Sequence, residues 1–262
     1  MKRKMSESEN TQKYNKTLDA WLDVAEALLQ SGAEVWRVET TLQRLAKAYG
    51  AKKINAFTIN SNISITCEFA DGTIRAQSRR VDSAAVMNME KLEEINTLSR
   101  EYCNTSMSTD ELRSRLTGIL SKKSGIRYFI GAAMAAAAFS IFFGGSALEA
   151  LIAALAGLIV CIFNRKLADF FPNSFLSNFV ISFLTGLFIY LTADVIKVLK
   201  ADKSIIGTIM LLIPGIAISN SIRDIVLGDT ISGTTKFIEC LFQTVGMAIG
   251  YIAAMLVAGG IR

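Results

Sequence analysis

The chain has no histidine and only two prolines among its 262 residues. Without histidine there can be no Ser-His-Asp or Cys-His catalysis, no imidazole metal ligand and no histidine proton relay. A titrating group must then be a carboxylate, lysine, tyrosine or cysteine. The four cysteines, Cys67, Cys103, Cys161 and Cys240, lie far apart with no C-x-x-C pair, so neither a disulfide framework nor a metal site is expected. Cys67 reads as a small core residue. The polar opening run carries no signal-peptide pattern, and residues 1–15 are expected to be a disordered tail. The pI near 9.0 is a weak hint of contact with anionic lipid. With no basic-aromatic patch beside it, nucleic acid is not an expected partner.

Charge is also scarce in one half. Residues 1–127 hold 20 Lys/Arg and 16 Asp/Glu, whereas 128–262 hold 8 and 7. A soluble protein would not confine its charges in this way. The reading is a soluble α+β domain over 16–125 followed by a transmembrane domain over 126–262.

In the first half, Leu18, Trp21, Leu22, Ala25, Leu28 and Leu29 share one helical face, and Val35, Val38, Leu42, Leu45 and Tyr49 continue the period. Between them Ser31-Gly32-Ala33-Glu34 reads as a capping box that restarts the helix, and Gly50 as the residue that ends it. Segments 53–59, 62–69 and 73–77 read as strands, the last two joined by a two-residue Asp71-Gly72 turn. A helix is expected from Val86 to Tyr102 and another after the capping box Ser108–Glu111. The charged motif Glu34, Arg37, Glu39 reads either as a solvated face with local ion pairs or as a functional triad.

In the second half, five apolar runs reach bilayer length: 128–145, 147–163, 175–196, 204–227 and 236–259. The Gly144-Gly145-Ser146 turn joins the first two. Gly131 with Ala132–Ala138, and Gly246-x-x-x-Gly250, have the small-residue spacing of close helix packing. With the N-terminus inside, Lys122, Lys123, Arg127, Arg165, Lys166, Arg223 and Lys236 fall on the cytoplasmic side. Lys197, Lys200, Lys203 and Arg262 fall outside, a split that favours N-in.

The fourth run is broken by Pro214-Gly215, and Asn220, Arg223 and Asp224 follow within two turns. Proline removes a backbone donor, and freed backbone groups at membrane depth survive only inside protein or facing water. Broken helices of this kind line transporter sites. Lys236, Glu239 and Gln243 share a face of the fifth run, and Asn178, Ser182 and Thr185 a face of the third. Polar stripes on three spans indicate a lined pathway or a packing seam. Arg223 suits a carboxylate, Asn220, Gln243 and the Pro214-Gly215 break suit its positioning, and Asp224 or Glu239 suits proton exchange if burial favours its neutral form. A second basic residue such as Lys236 in the pathway would favour a dicarboxylate.

The ordered set Ser31-Gly-Ala-Glu34-x-x-Arg37-Val-Glu39, Lys91-Leu92-x-x-Ile95-Asn96-x-Leu98-Ser99-Arg100, Phe143-Gly-Gly-Ser146 and Pro214-Gly215…Asn220-x-x-Arg223-Asp224…Gly228-Asp229-x-x-Ser232-Gly233 resembles the ThrE-type threonine/serine exporter family. It is most similar to the short, two-component form, the YjjP-like subunit. The resemblance covers nearly the whole chain from about residue 16. It implies a secondary exporter of small hydroxy amino acids or dicarboxylates such as succinate in the bacterial plasma membrane, not an enzyme. The proton gradient would drive it without a cofactor, and its N-terminal domain would be cytoplasmic. It also implies a separate five-span membrane subunit, because full-length members carry a second membrane block; a higher oligomer is compatible. Two rivals stand beside this reading. In a membrane-anchored sensor or adaptor, the α+β domain would do the work. An intramembrane enzyme would need Asp224 close to Asp194 or Glu239.

Overall fold

The computed structural model describes residues 2–81, 87–122, 125–167 and 173–260, without the side chains of 2–9, 167 and 260. Val86, Lys123 and Arg262, which the sequence reading used, lie outside these residues. The chain is mostly helical and divides into two compact units. One comprises Met1–Lys122 with Ser219–Phe237, the other Lys123–Ile218 with Ile238–Arg262. A single cut near residue 125 was expected. The segment 219–237 belongs instead with the N-terminal unit, where its charged side chains find partners; this shortens the fourth apolar run read from the sequence.

The first unit begins with α1 (Lys2–Gln30) and α2 (Val35–Ala48), continues through β1 (Lys53–Ile59), β2 (Asn62–Glu68) and β3 (Ile74–Arg80), and then α3 (Met89–Asn104) and α4 (Thr109–Ser121). The strands form an antiparallel sheet in the order β1-β2-β3. On β2, Ile63, Ile65 and Cys67 alternate into the core, and all the periodic positions of α1 from Leu18 to Leu29 are buried. Burial also pushes the Cys67 thiol up to about 11, which suits an inert core residue.

Three local expectations are corrected. Residues 1–15 are not a disordered tail, because α1 starts at Lys2. Tyr14 stacks on Phe69 at 3.8 Å and Arg75 donates to Thr11 Oγ1 at 2.7 Å, so this stretch has a tertiary anchor. Ser31 does not cap α2. Gly32 takes φ +90° and Ala33 N–H reaches back to Leu28 O, so Ser31-Gly32 closes α1, and Glu34 is the N-cap of α2 without a side-chain cap bond. The Asp71-Gly72 turn is a three-residue loop closed by Phe69 N–H on Thr73 O, with Gly72 at φ +84°. The Ser108 cap forms as expected, accepting from Glu111 N–H at 3.1 Å, and Gly50 takes φ +82° after α2.

The second unit contains α5 (Ile126–Phe142), α6 (Ala147–Leu167), α7 (Ser174–Val195) and α8 (Ala201–Leu212). It also contains the first residues of α9 (Gly215–Val226) and, from Ile238 onward, α10 (Thr230–Gly260). Among the described residues, three helices are long and apolar enough to cross a membrane, or up to five if each of two bent helix pairs counts as one span. The twelve residues of α8 span only about 18 Å, short of a ~30 Å bilayer core. Close packing explains Gly246, Gly250 and Gly207 but not Gly131, which is exposed with nothing within 4 Å of where its Cβ would stand. A Cβ at Gly246 would sit 2.6 Å from Phe175 O, one at Gly250 2.5 Å from Phe179 O, and one at Gly207 2.5 Å from Ala136 O. Ser146 and Glu149 form a capping box at the start of α6, Ser146 N–H donating to Glu149 Oε2 at 2.6 Å. The other oxygen of Glu149 takes Lys200 N–H at 2.9 Å, so one buried carboxylate ties two helix starts together.

Candidate functional site

Because Ser31-Gly32 ends α1, Glu34 sits at the first turn of α2 with its carboxylate turned away from the helix backbone. It is 6% exposed. Arg223 on α9 donates from Nη1 to Glu34 Oε1 at 3.0 Å. Trp36 Nε1 donates to Glu34 Oε2 at 2.5 Å, and Arg37 Nε stands 3.9 Å from the same oxygen. The Trp36 ring lies under two guanidinium groups, 5.3 Å from that of Arg223 and 5.8 Å from that of Arg37. The buried carboxylate is therefore matched by two cations and an indole donor, a fully used acceptor rather than a solvated face. The outer side of the Arg223 side chain remains about half exposed, at 53%.

One residue further along α9, Asp224 is completely buried and receives Lys236 Nζ at 2.9 Å on Oδ2. Its Oδ1 has no hydrogen-bond partner among the described residues. The turn that brings Lys236 back is built from Gly228 at φ +102° and a bond from Asp229 N–H to Asp224 O. Gly233 then lies against this turn: a Cβ there would meet Ser221 O at 2.6 Å. Asn60, after β1, donates to Ser232 O at 3.1 Å and fastens the segment to the sheet.

Glu39 does not join the Glu34 cluster. It is half-buried and accepts Thr58 N–H at 2.8 Å. Burial pushes its carboxyl up, the Thr58 bond opposes this, and nearby Asp229 adds to the rise. A carboxyl raised in the folded state contributes stability at low pH and loses it as pH rises through the folded value. Glu39→Gln keeps an acceptor for Thr58 without the charge. Its unfolding temperature should match or exceed that of the parent at pH 8, with the gap closing towards pH 4. A gap that widens on acidification would contradict this account.

Apart from Asn220, the other expected residues lie in the second unit, and none is part of this cluster. Pro214 and Gly215 break the helix as expected, with Ile218 N–H already bonded to Pro214 O and nothing within 4 Å of where a Gly215 Cβ would stand. Gln243 is half-buried and Glu239 exposed. Asn178 Nδ2 lies 3.5 Å from the Gln243 carbonyl, at the limit of a hydrogen bond. Ser182 and Thr185 are fully buried, and Thr185 Oγ1 bonds to Ile181 O at 2.7 Å. Along α7 the polar stripe is thus a packing seam at these two positions. Asn220, one turn before Arg223 on α9, is half-buried.

Sequence reasoning grouped Glu34 with Arg37 and Arg223 with Asp224 but gave no sign that Arg223 meets Glu34. It missed Trp36 as the donor beneath the pair, and Lys236 as the partner of Asp224. It also missed Glu149, although the Ser146-x-x-Glu149 spacing was visible. Among the described residues, no three His, Cys, Asp or Glu side chains are grouped to hold a metal ion.

A protein-family model described as ThrE, putative threonine/serine exporter, matches residues 19–258. No curated protein and no solved structure matches the chain.

Proposed function

The chain belongs to the ThrE family of threonine/serine exporters, and from that premise we propose that it is one subunit of a proton-coupled exporter of small carboxylate-bearing metabolites. Threonine and serine are the leading substrates and succinate the alternative, and a second five-span subunit completes the pathway. The carrying observation is Arg223: a planar cation with one nitrogen on a buried carboxylate, one face over Trp36 and about half of its side chain exposed. Such a group can bind a substrate carboxylate in exchange for, or beside, Glu34. Asn220 shares its helix face at i, i+3 and can help to orient the ligand.

Lys236 no longer argues for a dicarboxylate, since its charge is spent on Asp224. The family description favours the neutral hydroxy amino acids. Asp224, fully buried with one carboxylate oxygen unpartnered among the described residues, and Glu239, which is exposed, are the two candidate proton carriers.

Glu34 with Arg223, and Asn60 with Ser232, are bonded within one compact unit, so the N-terminal residues and the segment 219–237 lie on one side of the membrane. A cytoplasmic first unit then puts Arg223 and Lys236 on the positive, inner side. The need for a partner is supported by Glu239, a charged residue exposed on a helix otherwise apolar enough to span.

The test is efflux of labelled threonine, serine and succinate from loaded cells expressing this chain alone or with a five-span partner. Efflux of the hydroxy amino acids should require both chains and vanish with a protonophore. Efflux of none of the three, with both proteins verified in the membrane, would overturn the proposal; efflux from this chain alone would overturn its split organisation.

A further inference from the structure

Within the first unit, α2 and α3 flank an open cavity of about 450 Å³, inside the size range of small-molecule sites. Arg44 and Lys47 enter it from one face of α2, three residues apart, and Arg100 enters from α3 beside Asn96 and Asn104. No carboxylate and no aromatic ring lines it.

The pairing habit of this unit makes those cations unusual. Arg79 bridges Asp19, Asp23 and Glu26; Arg113 reaches Asp23; Arg115 reaches Glu101; Arg37 and Arg223 share Glu34. Arg44, Lys47 and Arg100 have no ion pair or hydrogen bond among the described residues, and they converge on one concave surface. Like charges gathered around one concave surface repel one another, and an anion placed among them relieves that cost while gaining charge-assisted hydrogen bonds. The amides of Asn96 and Asn104 can add neutral contacts. The absence of an aromatic wall leaves no stacking surface for a nucleobase.

We propose that the α2–α3 cavity is a binding site for a small polyanion, a phosphate ester or polycarboxylate with at least two negative charges. The site is separate from the Glu34–Arg223 pair, although Glu34 is the N-cap of α2, which carries two of the cavity cations, Arg44 and Lys47. A ligand held there would therefore bear on the helix that grips Arg223.

Cys103 lines the cavity and provides a direct readout, because the other three cysteines are buried. The full chain, purified into nanodiscs of zwitterionic lipid, is titrated with citrate and with glycerol 3-phosphate by calorimetry, with acetate as the monoanion control. In parallel, maleimide labelling of Cys103 is timed at pH 8, with Cys103→Ser as the blank. At least one polyanion should bind saturably and slow labelling several-fold, while acetate should do neither. Arg44→Gln with Arg100→Gln should weaken binding at least tenfold. Lys52→Gln with Lys53→Gln, which removes two exposed charges outside the cavity, should leave binding unchanged. Absence of saturable binding by both polyanions, binding undiminished in the arginine variant, or Cys103 labelling unaffected by a bound polyanion would each overturn the assignment.

Discussion

Lys236→Met is expected to destabilise the first unit by roughly 3–5 kcal/mol, the cost of leaving one member of a buried ion pair without the other. The geometry makes this substitution severe. Asp224 has no exposed surface, Lys236 Nζ at 2.9 Å is the one side chain that hydrogen-bonds to it among the described residues, and Oδ1 is already unsatisfied. Methionine fills much of the lysine stem's volume, so the loss is mainly electrostatic. Asp224→Asn should suppress the defect when combined with Lys236→Met, because an amide can remain buried without a counter-charge. Thermal unfolding of the four proteins in one detergent, with pairwise coupling taken from the cycle, makes the check. A Lys236→Met protein within about 1 kcal/mol of the parent, with no coupling to Asp224, would show that the pair is not structural. A stable but inactive Asp224→Asn protein would keep Asp224 as the proton carrier.

Much of the fold could be read from the chain because burial follows period. The α1 and α2 stripes, the alternation on β2, the Ser108 cap and the Gly50 ending depend on neighbours within a few residues, and such signals are local. The errors arose where two local signals competed. Ser31-Gly32-Ala33-Glu34 fits a capping box, but the glycine at positive φ claims the serine for the end of α1. That error hid what Glu34 does: a carboxylate committed to its own helix start would not be available to Arg223, 189 positions away. The return of Ser219–Phe237 to the first unit was missed for a similar reason. Hydropathy counted Ile218, Ile222, Ile225 and Val226 towards a membrane run, although Asp224 and Arg223 among them have partners in the N-terminal unit and in α10. Long-range charge pairing leaves no periodic trace in one sequence.

Arg223→Ala should reduce threonine efflux by about 10- to 100-fold, the effect of losing one charge-assisted hydrogen-bonding group worth about 1.5–3 kcal/mol to a carboxylate. The informative comparison is with Glu34→Gln. If Arg223 only fastens α9 to α2, both substitutions break the same contact, and each should lower efflux and stability together. If the guanidinium is shared between Glu34 and the substrate, the two diverge. Glutamine keeps an acceptor for Trp36 Nε1 but holds Arg223 less strongly, so Glu34→Gln should lower the substrate concentration needed for half-maximal efflux while Arg223→Ala raises it. Arg223→Lys retains the charge but loses the planar fork and the large face over Trp36 at 5.3 Å, so it should fall between them. Concentration dependence of efflux, measured at matched protein levels, separates the cases. Parallel losses in Glu34→Gln and Arg223→Ala, with no further loss in the double variant, would assign the pair to structure alone. Opposite shifts would identify Glu34 as the internal carboxylate that the substrate must displace.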